Sequence, residues 1–355
     1  MPRSPLFASL AALLTGCGLT GCADETADGV FAELSAVDEG AVHVLPFTAA
    51  SLQVAADGHV WLADLSSRRV VELDGTSGAV RRSLGQDGSG PGEMRAPGAL
   101  AVTPGGVIAL TDARLLRLTV WNADGSLNST FPLSGFPLEM RSDGEHLLVL
   151  YTSPVGGGYW LERITRGSPP FEAVGSLDSM FPDEFAPADG EPVPWPEMTI
   201  CSDRSIVVGL QRRYRFVRVG TRGIPLGVSG RQLPRRYMSE ADEERVRATL
   251  EARAGQMGVP SSLIEESLKR ERERPVPHFS GVWGDDRRRL WIDTTRGDST
   301  RSVIDVMTCD GDFLGSVVLR DDVQDLVVRH DTIVALVRRA YQNDQQGIDR
   351  YAIQH

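Results

Sequence analysis

The chain has 355 residues, 41% of them apolar and 24% charged, and carries a formal net charge of −11. That balance is that of a globular protein with enough apolar side chain for a sizeable core, and excludes a disordered or fibrous chain. A negative chain of this kind lacks the basic face of a general nucleic-acid binder, so no nucleic acid is expected among its partners.

Residues 1–22 read as a lipoprotein signal peptide. Arg3 supplies a minimal positive start, and Leu6 to Leu14 form an apolar run too short to span a bilayer. Two tetrapeptides follow, Leu14-Thr15-Gly16-Cys17 and Leu19-Thr20-Gly21-Cys22. Each resembles the bacterial lipobox, in which small residues precede a cysteine that is lipidated and becomes the mature N-terminus. The resemblance implies a membrane partner through an N-terminal lipid at Cys22 or Cys17, and a place in the bacterial cell envelope, periplasmic or on the outer surface. Cys22 is preferred because the polar run Ala23-Asp24-Glu25-Thr26 begins directly after it. The bland alternative is a secretory signal with incidental cysteines. Residues 23–40, acidic and small, read as a flexible tether.

From residue 41 to 355 the sequence turns into short apolar runs divided by turn residues, the pattern of an all-β domain. Ala41 to Pro46 alternates like a strand. Leu52-Gln53-Val54, the turn Asp57-Gly58 and His59 to Ala63 follow, ending on Asp64; then come Val70 to Leu73, the turn Asp74-Gly75 and Ala79 to Leu84. Strand, turn, strand, loop, strand, turn, strand is the meander of one propeller blade. The next stretch, Gly85 to Trp121, repeats it. A loop carries Gly90-Pro91-Gly92-Glu93 and Ala96-Pro97, and a strand Leu100-Ala101-Val102 leads to a Pro104-Gly105-Gly106 turn. A second strand runs from Val107 to Leu110 and ends on Thr111-Asp112, and a third closes on Val120-Trp121. Ala63-Asp64 thus recurs as Thr111-Asp112 about 48 residues on, a period found in propellers and arrays. That order resembles a blade of the NHL-type repeat, and the chain as a whole resembles NHL-repeat-like six-bladed β-propeller lipoproteins of bacteria. The resemblance is specific over residues 51–131, looser over 279–353 and weak between them, and it implies a six-bladed β-propeller.

Four further blades are expected, beginning at Leu138, Met198, Val282 and Leu326. The last offers only three strands before the chain ends, so Ala41 to Pro46 is expected to pair beside Ile348 to Ile353 as the fourth and close the ring, removing two exposed sheet edges. Two insertions break the meander. Gly175 to Glu197 is rich in Pro and acid, with Phe181, Phe185 and Trp195 among Asp183, Glu184 and other carboxylates. A helical insertion over about 237–274 lies between blades four and five; Ser239 with Asp242 starts it, Ser262 with Glu265 restarts it and Pro275 stops it. Both are inter-blade loops on the propeller face where ligands usually bind. Phe181, Phe185, Trp195, Asp183 and Glu184 form the candidate binding face, with Phe185 and Trp195 expected against the helical segment around Val246 and Leu250.

Asp64 and Asp112 each end a second strand, with Arg69 and Arg117 five residues on. The NHL resemblance implies a structural role, the carboxylate fixing the following loop and pairing with the arginine, a task a charge-assisted contact suits. Asp293 holds the matching place in blade five. His59, His146 and His330 fall at turns between first and second strands, spread around a rim too widely to share one ion. No metal motif, nucleophile elbow or phosphate loop is present, so the catalytic residues are unknown and no cofactor is identified. Cys201 and Cys309 are either a disulfide or two separately buried thiols.

These features point to an envelope-anchored, non-enzymatic binding or scaffold propeller that recognises a protein, peptide or glycan through the inserted-loop face. The alternative is a lactonase-like propeller hydrolase or lyase with a divalent cation in the central channel. Three or more carboxylates or imidazoles converging in the channel mouth would favour the enzyme, and an aromatic-lined mouth would favour binding.

Overall fold

The computed structural model describes residues 35–36, 43–152, 158–165, 171–186, 196–240, 243, 247, 261–273, 275–298, 300–339 and 345–353. The short apolar runs pair into six antiparallel meanders. Blade one comprises Ala49–Val54, Val60–Asp64, Arg69–Leu73 and Val80–Leu84, and blade two Pro97–Val102, Ile108–Asp112, Arg117–Trp121 and Leu127–Pro132. Blade three spans Phe136–Ser142, His146–Thr152, Tyr159–Thr165 and Glu172–Ser176, and blade four Pro196–Ile200, Ile206–Leu210, Arg215–Val219 and Pro225–Gly230. Blade five comprises Phe279–Gly284, Arg289–Asp298, Arg301–Thr308 and Phe313–Arg320. Blade six has Asp322–Arg329, Thr332–Arg339 and Gln345–Ala352, completed by N-terminal segments. The first strand of each blade is the innermost, and each inner strand contacts those of its two neighbours, so the six close a ring around an axial channel. The chain is a six-bladed β-propeller.

The burial pattern follows from blades stacked face to face. All five residues of Val60–Asp64, Ile108–Asp112 and Ile206–Leu210 are buried, because a second strand is covered on both faces by adjacent blades. The fourth strands lie at the rim and are largely exposed. Six apolar clusters are found among the described residues, one in each blade–blade interface. At roughly 25 cal/mol per Å² of buried apolar area, these interfaces are the main force holding the ring shut.

Polar ties add register between blades. Asp325 of blade six accepts hydrogen bonds from Leu52 N of blade one (2.7 Å) and Trp283 Nε1 of blade five (2.6 Å). Thr199 Oγ1 accepts from Gly284 N (2.7 Å), and the Tyr214 hydroxyl donates to Asp305 Oδ2 (2.6 Å), each joining blades four and five. Cys201 and Cys309, 2% and 3% exposed, form a disulfide across the same interface.

Ring closure uses the N-terminal segment, in two pieces. His43 and Val44 pair with Ile348 and Gly347, and Ser35–Ala36 pair further along the same strand with Ala352 and Tyr351. Leu45 N donates to Gln346 O (2.8 Å), the Gln346 side chain exchanges hydrogen bonds with Ala49, and Leu45 is buried among Leu52, Leu336 and Ile348. Between blades four and five, a helix over Ser261–Arg272 buries Ile264 and Leu268. No helix among the described residues is long and apolar enough to cross a membrane. Cys17, Cys22, Trp195, Val246 and Leu250 lie outside the described residues.

Candidate functional site

Aligning the inner strands on their fully buried residues, Leu52, Leu100, Met140, Met198, Val282 and Leu326, shows what lines the channel. The residues just before them are Ser51, Ala99, Glu139, Glu197, Gly281 and Asp325, and all six line a chamber of about 230 Å³. Blades one, two and five thus contribute small residues, while blades three, four and six contribute acids. The chamber sits toward the N-terminal ends of the inner strands, where the inter-blade loops enter. Arg141 and Trp283, one layer deeper, form the waist between this chamber and a second opening on the opposite face.

The polar partners in the chamber are unequal. Arg141 Nη1 lies 2.8 Å from Glu139 Oε2. Gln211 Nε2 donates to Glu197 Oε1 (2.8 Å). Asp325 uses both oxygens on N–H donors, Oδ2 on Leu52 N and Oδ1 on Trp283 Nε1 and its own neighbour Leu326 N (2.9 Å). Burial raises the Glu139 carboxyl above its ordinary value, with Arg141 opposing. Burial, then repulsion from Glu139, raises Glu197 well above its ordinary value. Repulsion between two buried carboxyls placed together favours protonation of one of them, and the Arg141 guanidinium beside Glu139 favours keeping the charge there. Nearby, the Ser280 hydroxyl donates to Asp293 Oδ2 (2.6 Å), and burial pushes Asp293 up to about 7.

The metal form of the enzyme reading needs several oxygens free to converge on one ion. Three carboxylates do line the chamber, but the residues present do not fit a divalent cation. A guanidinium already stands against Glu139, both oxygens of Asp325 accept from N–H donors, the Gln211 amide takes one oxygen of Glu197, and no histidine is part of the lining. On the opposite face, Asp57, His59 and Glu72 bring ligand-type atoms within 4.8 Å of one another. There too a guanidinium is present, with Arg82 Nε 2.5 Å from Glu72 Oε2, so the group reads as an ion-pair cluster. The sequence missed it because Glu72 comes from a different strand than the turn holding the other two.

The residues singled out in the sequence divide. Asp64 is fully buried; its Oδ1 accepts from Ser66 N (2.9 Å) and Ser67 N (3.0 Å), and its Oδ2 from Arg69 Nε (3.1 Å). Asp112 fixes its loop the same way through Arg114 N (3.0 Å) and Leu115 N (2.8 Å), and also takes Arg95 N (2.7 Å). Arg117 departs from the expected pairing. It donates to the carbonyls of Ser89, Gly90 and Glu93, because the Gly-rich loop before blade two folds back within its reach. Asp293 fixes no loop, since its strand runs on to Asp298. Phe181 and Phe185, on two single-turn helices over Leu177–Met180 and Pro182–Phe185, are 8% and 3% exposed. They pack in the interface of blades three and four, Phe185 against Tyr159 (5.8 Å between rings), so neither ring is presented to a ligand. Asp183 is exposed, and Glu184 Oε2 lies 3.6 Å from Arg215 Nε.

No family model matches the chain, and no curated protein matches it. Among solved structures, it is similar to a gluconolactonase from Xanthomonas campestris at 11% identity and a TM-score of 0.51, over 92% of this chain and 99% of that one. It is also similar to a calcium-binding protein, regucalcin, from Agrobacterium tumefaciens (13% identity, TM-score 0.49, 91% and 93% covered). A catalytically inactive virginiamycin B lyase from Staphylococcus aureus, with quinupristin, gives 14% identity and a TM-score of 0.48, with 94% and 97% covered. At such identity the likeness speaks to the fold alone.

Proposed function

We propose that the protein is a binding propeller, anchored in the bacterial envelope through an N-terminal lipid, whose inserted-loop face recognises a peptide or glycan and seats one small polar end of it in the channel chamber. The observation that supports this most is the chamber itself: it lies toward the face where the inter-blade loops enter and is built asymmetrically, with acids from blades three, four and six and small residues from blades one, two and five. Pockets of this kind, mostly small or apolar with a few converging polar groups, are where ligands are oriented. Envelope placement is supported by the doubled lipobox-like sequence and by the Cys201–Cys309 bond, which suits an oxidising compartment. The metal-dependent alternative has no such support, because Arg141 occupies the charge position an ion would need.

The test uses peptide and oligosaccharide arrays probed with the mature protein and with Ala50→Trp. Ala50 is exposed and lines the chamber, so an indole there fills it without touching the core. Wild type should select a small set of ligands, and the variant should lose at least about tenfold in affinity while melting at the same temperature. Equal binding by both proteins would place the recognition surface elsewhere.

A further inference from the structure

We infer that the group seated in the chamber is a primary ammonium, held by the oxygens of Glu139 and Glu197 that Arg141 and Gln211 leave open. This rests on reading the chamber as the ligand site.

The charge inventory comes first. Three carboxylates face one guanidinium, and Asp325 is satisfied by three N–H donors of the protein. Glu139 commits Oε2 to Arg141, and Glu197 commits Oε1 to the Gln211 amide. Glu139 Oε1 and Glu197 Oε2 take no N–H donor among the described residues. An entering group that offers only acceptors meets two carboxyl oxygens and is rejected, and an anion is repelled outright. An ammonium presents three donors and a full charge, enough to bridge both oxygens once the Glu197 proton has left.

The remaining wall suits the carbon skeleton behind such a group. Ser51 of blade one and Gly98 and Ala99 of blade two leave space in the lining beside the glutamates. At Gly281 a Cβ would come within 2.3 Å of the Trp283 ring, so glycine there lets the indole lie flat along the wall at the waist. The exchange balances as one ammonium in and one proton out to solvent: the carboxylic acid of Glu197 becomes a carboxylate, Glu139 stays a carboxylate, and no covalent bond to carbon is made or broken.

Several other titrating or charged groups surround the pair. Glu139 and Arg141 come from the blade-three inner strand, and Asp325 from that of blade six. From the blade-five side come Asp293, reached through Ser280, and His278, whose value is lowered by burial and by Arg236. Asp293→Asn is therefore the control for a second titration near neutrality.

The experiment is isothermal titration calorimetry of the mature protein with D-glucosamine and n-butylammonium, against N-acetyl-D-glucosamine and n-butanol as neutral counterparts. Each is run in phosphate and in imidazole, neither a primary amine, whose different heats of ionisation count the protons released. The ammonium probes should bind at least about 30-fold more tightly than their counterparts and release close to one proton each. Their affinity should rise with pH by up to about tenfold per unit below the raised value of Glu197 and level off above it. Glu197→Gln, nearly isosteric and checked for unchanged melting, should bind without proton release and without that pH slope, while Asp293→Asn keeps both. Equal affinity for ammonium and neutral probes, or binding without proton release in wild type, would overturn the inference. So would array ligands that are blocked by Ala50→Trp yet lack an amine, and that result would leave the chamber reading standing. Array binding that Ala50→Trp does not block would overturn both.

Discussion

Cutting the disulfide is the perturbation whose size is best defined by the structure. Cys201 and Cys309 are 108 residues apart in sequence, and their bond encloses all that lies between, including the Ser261–Arg272 helix. In the chain-entropy account, a loop of that size gives a stabilisation of about 4.7 kcal/mol. A propeller of roughly 310 residues unfolds with an entropy of about 0.65 kcal/mol per kelvin, so loss of the bond should lower the melting temperature by about 7 °C. The variant to use is Cys201→Ala/Cys309→Ala. Both sulfurs sit among Tyr214, Phe216 and Met307, where a serine hydroxyl would be buried without a designed partner. The assay is calorimetry on the oxidised wild type, the wild type with reductant and the double variant. The two bond-free samples should melt lower by similar amounts, the variant slightly more because each alanine leaves a void. An unchanged melting temperature in reductant, or two titratable thiols in unreduced, denatured protein, would refute the linkage.

Three further outcomes are expected. Burial raises Asp293 to about 7, so the folded state binds its proton more tightly than the unfolded chain does, and stability is lost as pH rises from about 4 through about 7. Asp293→Asn should remove that slope and stabilise the protein at pH 8 by up to about 4 kcal/mol, with little effect at pH 4, in denaturant titrations at the two pH values. Deleting residues through Pro46 should cost about 3 kcal/mol more than deleting through residue 34, because Leu45 and the pairings of Ser35–Ala36 and of His43 and Val44 are lost; equal melting temperatures would mean that the ring closes without them. The full-length protein should label with palmitate and partition into detergent, and Cys17→Ser/Cys22→Ser should abolish both; soluble, unlabelled wild type would remove the envelope anchor from the account.

The blades were legible because their signal is local. A second strand such as Val60–Asp64 is a short apolar run on both faces, and its closing Asp64 has its partners Ser66, Ser67 and Arg69 within five residues. Arg117 shows where local spacing stops. It has the same offset from its aspartate as Arg69, yet the Gly90 loop decides its partner. Phe181 and Phe185 were misread for a related reason: in a run of Pro and acid an aromatic looks like a presented side chain, and only the fold of the two helical turns shows them entering the blade interface. The chamber acids carry no motif at all, since Glu139, Glu197 and Asp325 each come from a different blade. Their one signal is positional, the residue preceding Met140, Met198 and Leu326, and it emerges only when the inner strands are aligned on their buried residues.

Carboxyl carbon NMR reads directly whether Glu197 carries a proton beside Glu139, as the direction of its shift implies. With glutamate side chains carbon-13 labelled at Cδ, a pH titration of the mature protein should show one resonance at a neutral-acid shift at pH 7, absent from Glu197→Gln. It should move to a carboxylate shift when an ammonium probe saturates the chamber. A wild-type spectrum in which every glutamate is already ionised at pH 7 would contradict the proton on Glu197 and, with it, the chemistry assigned to the chamber.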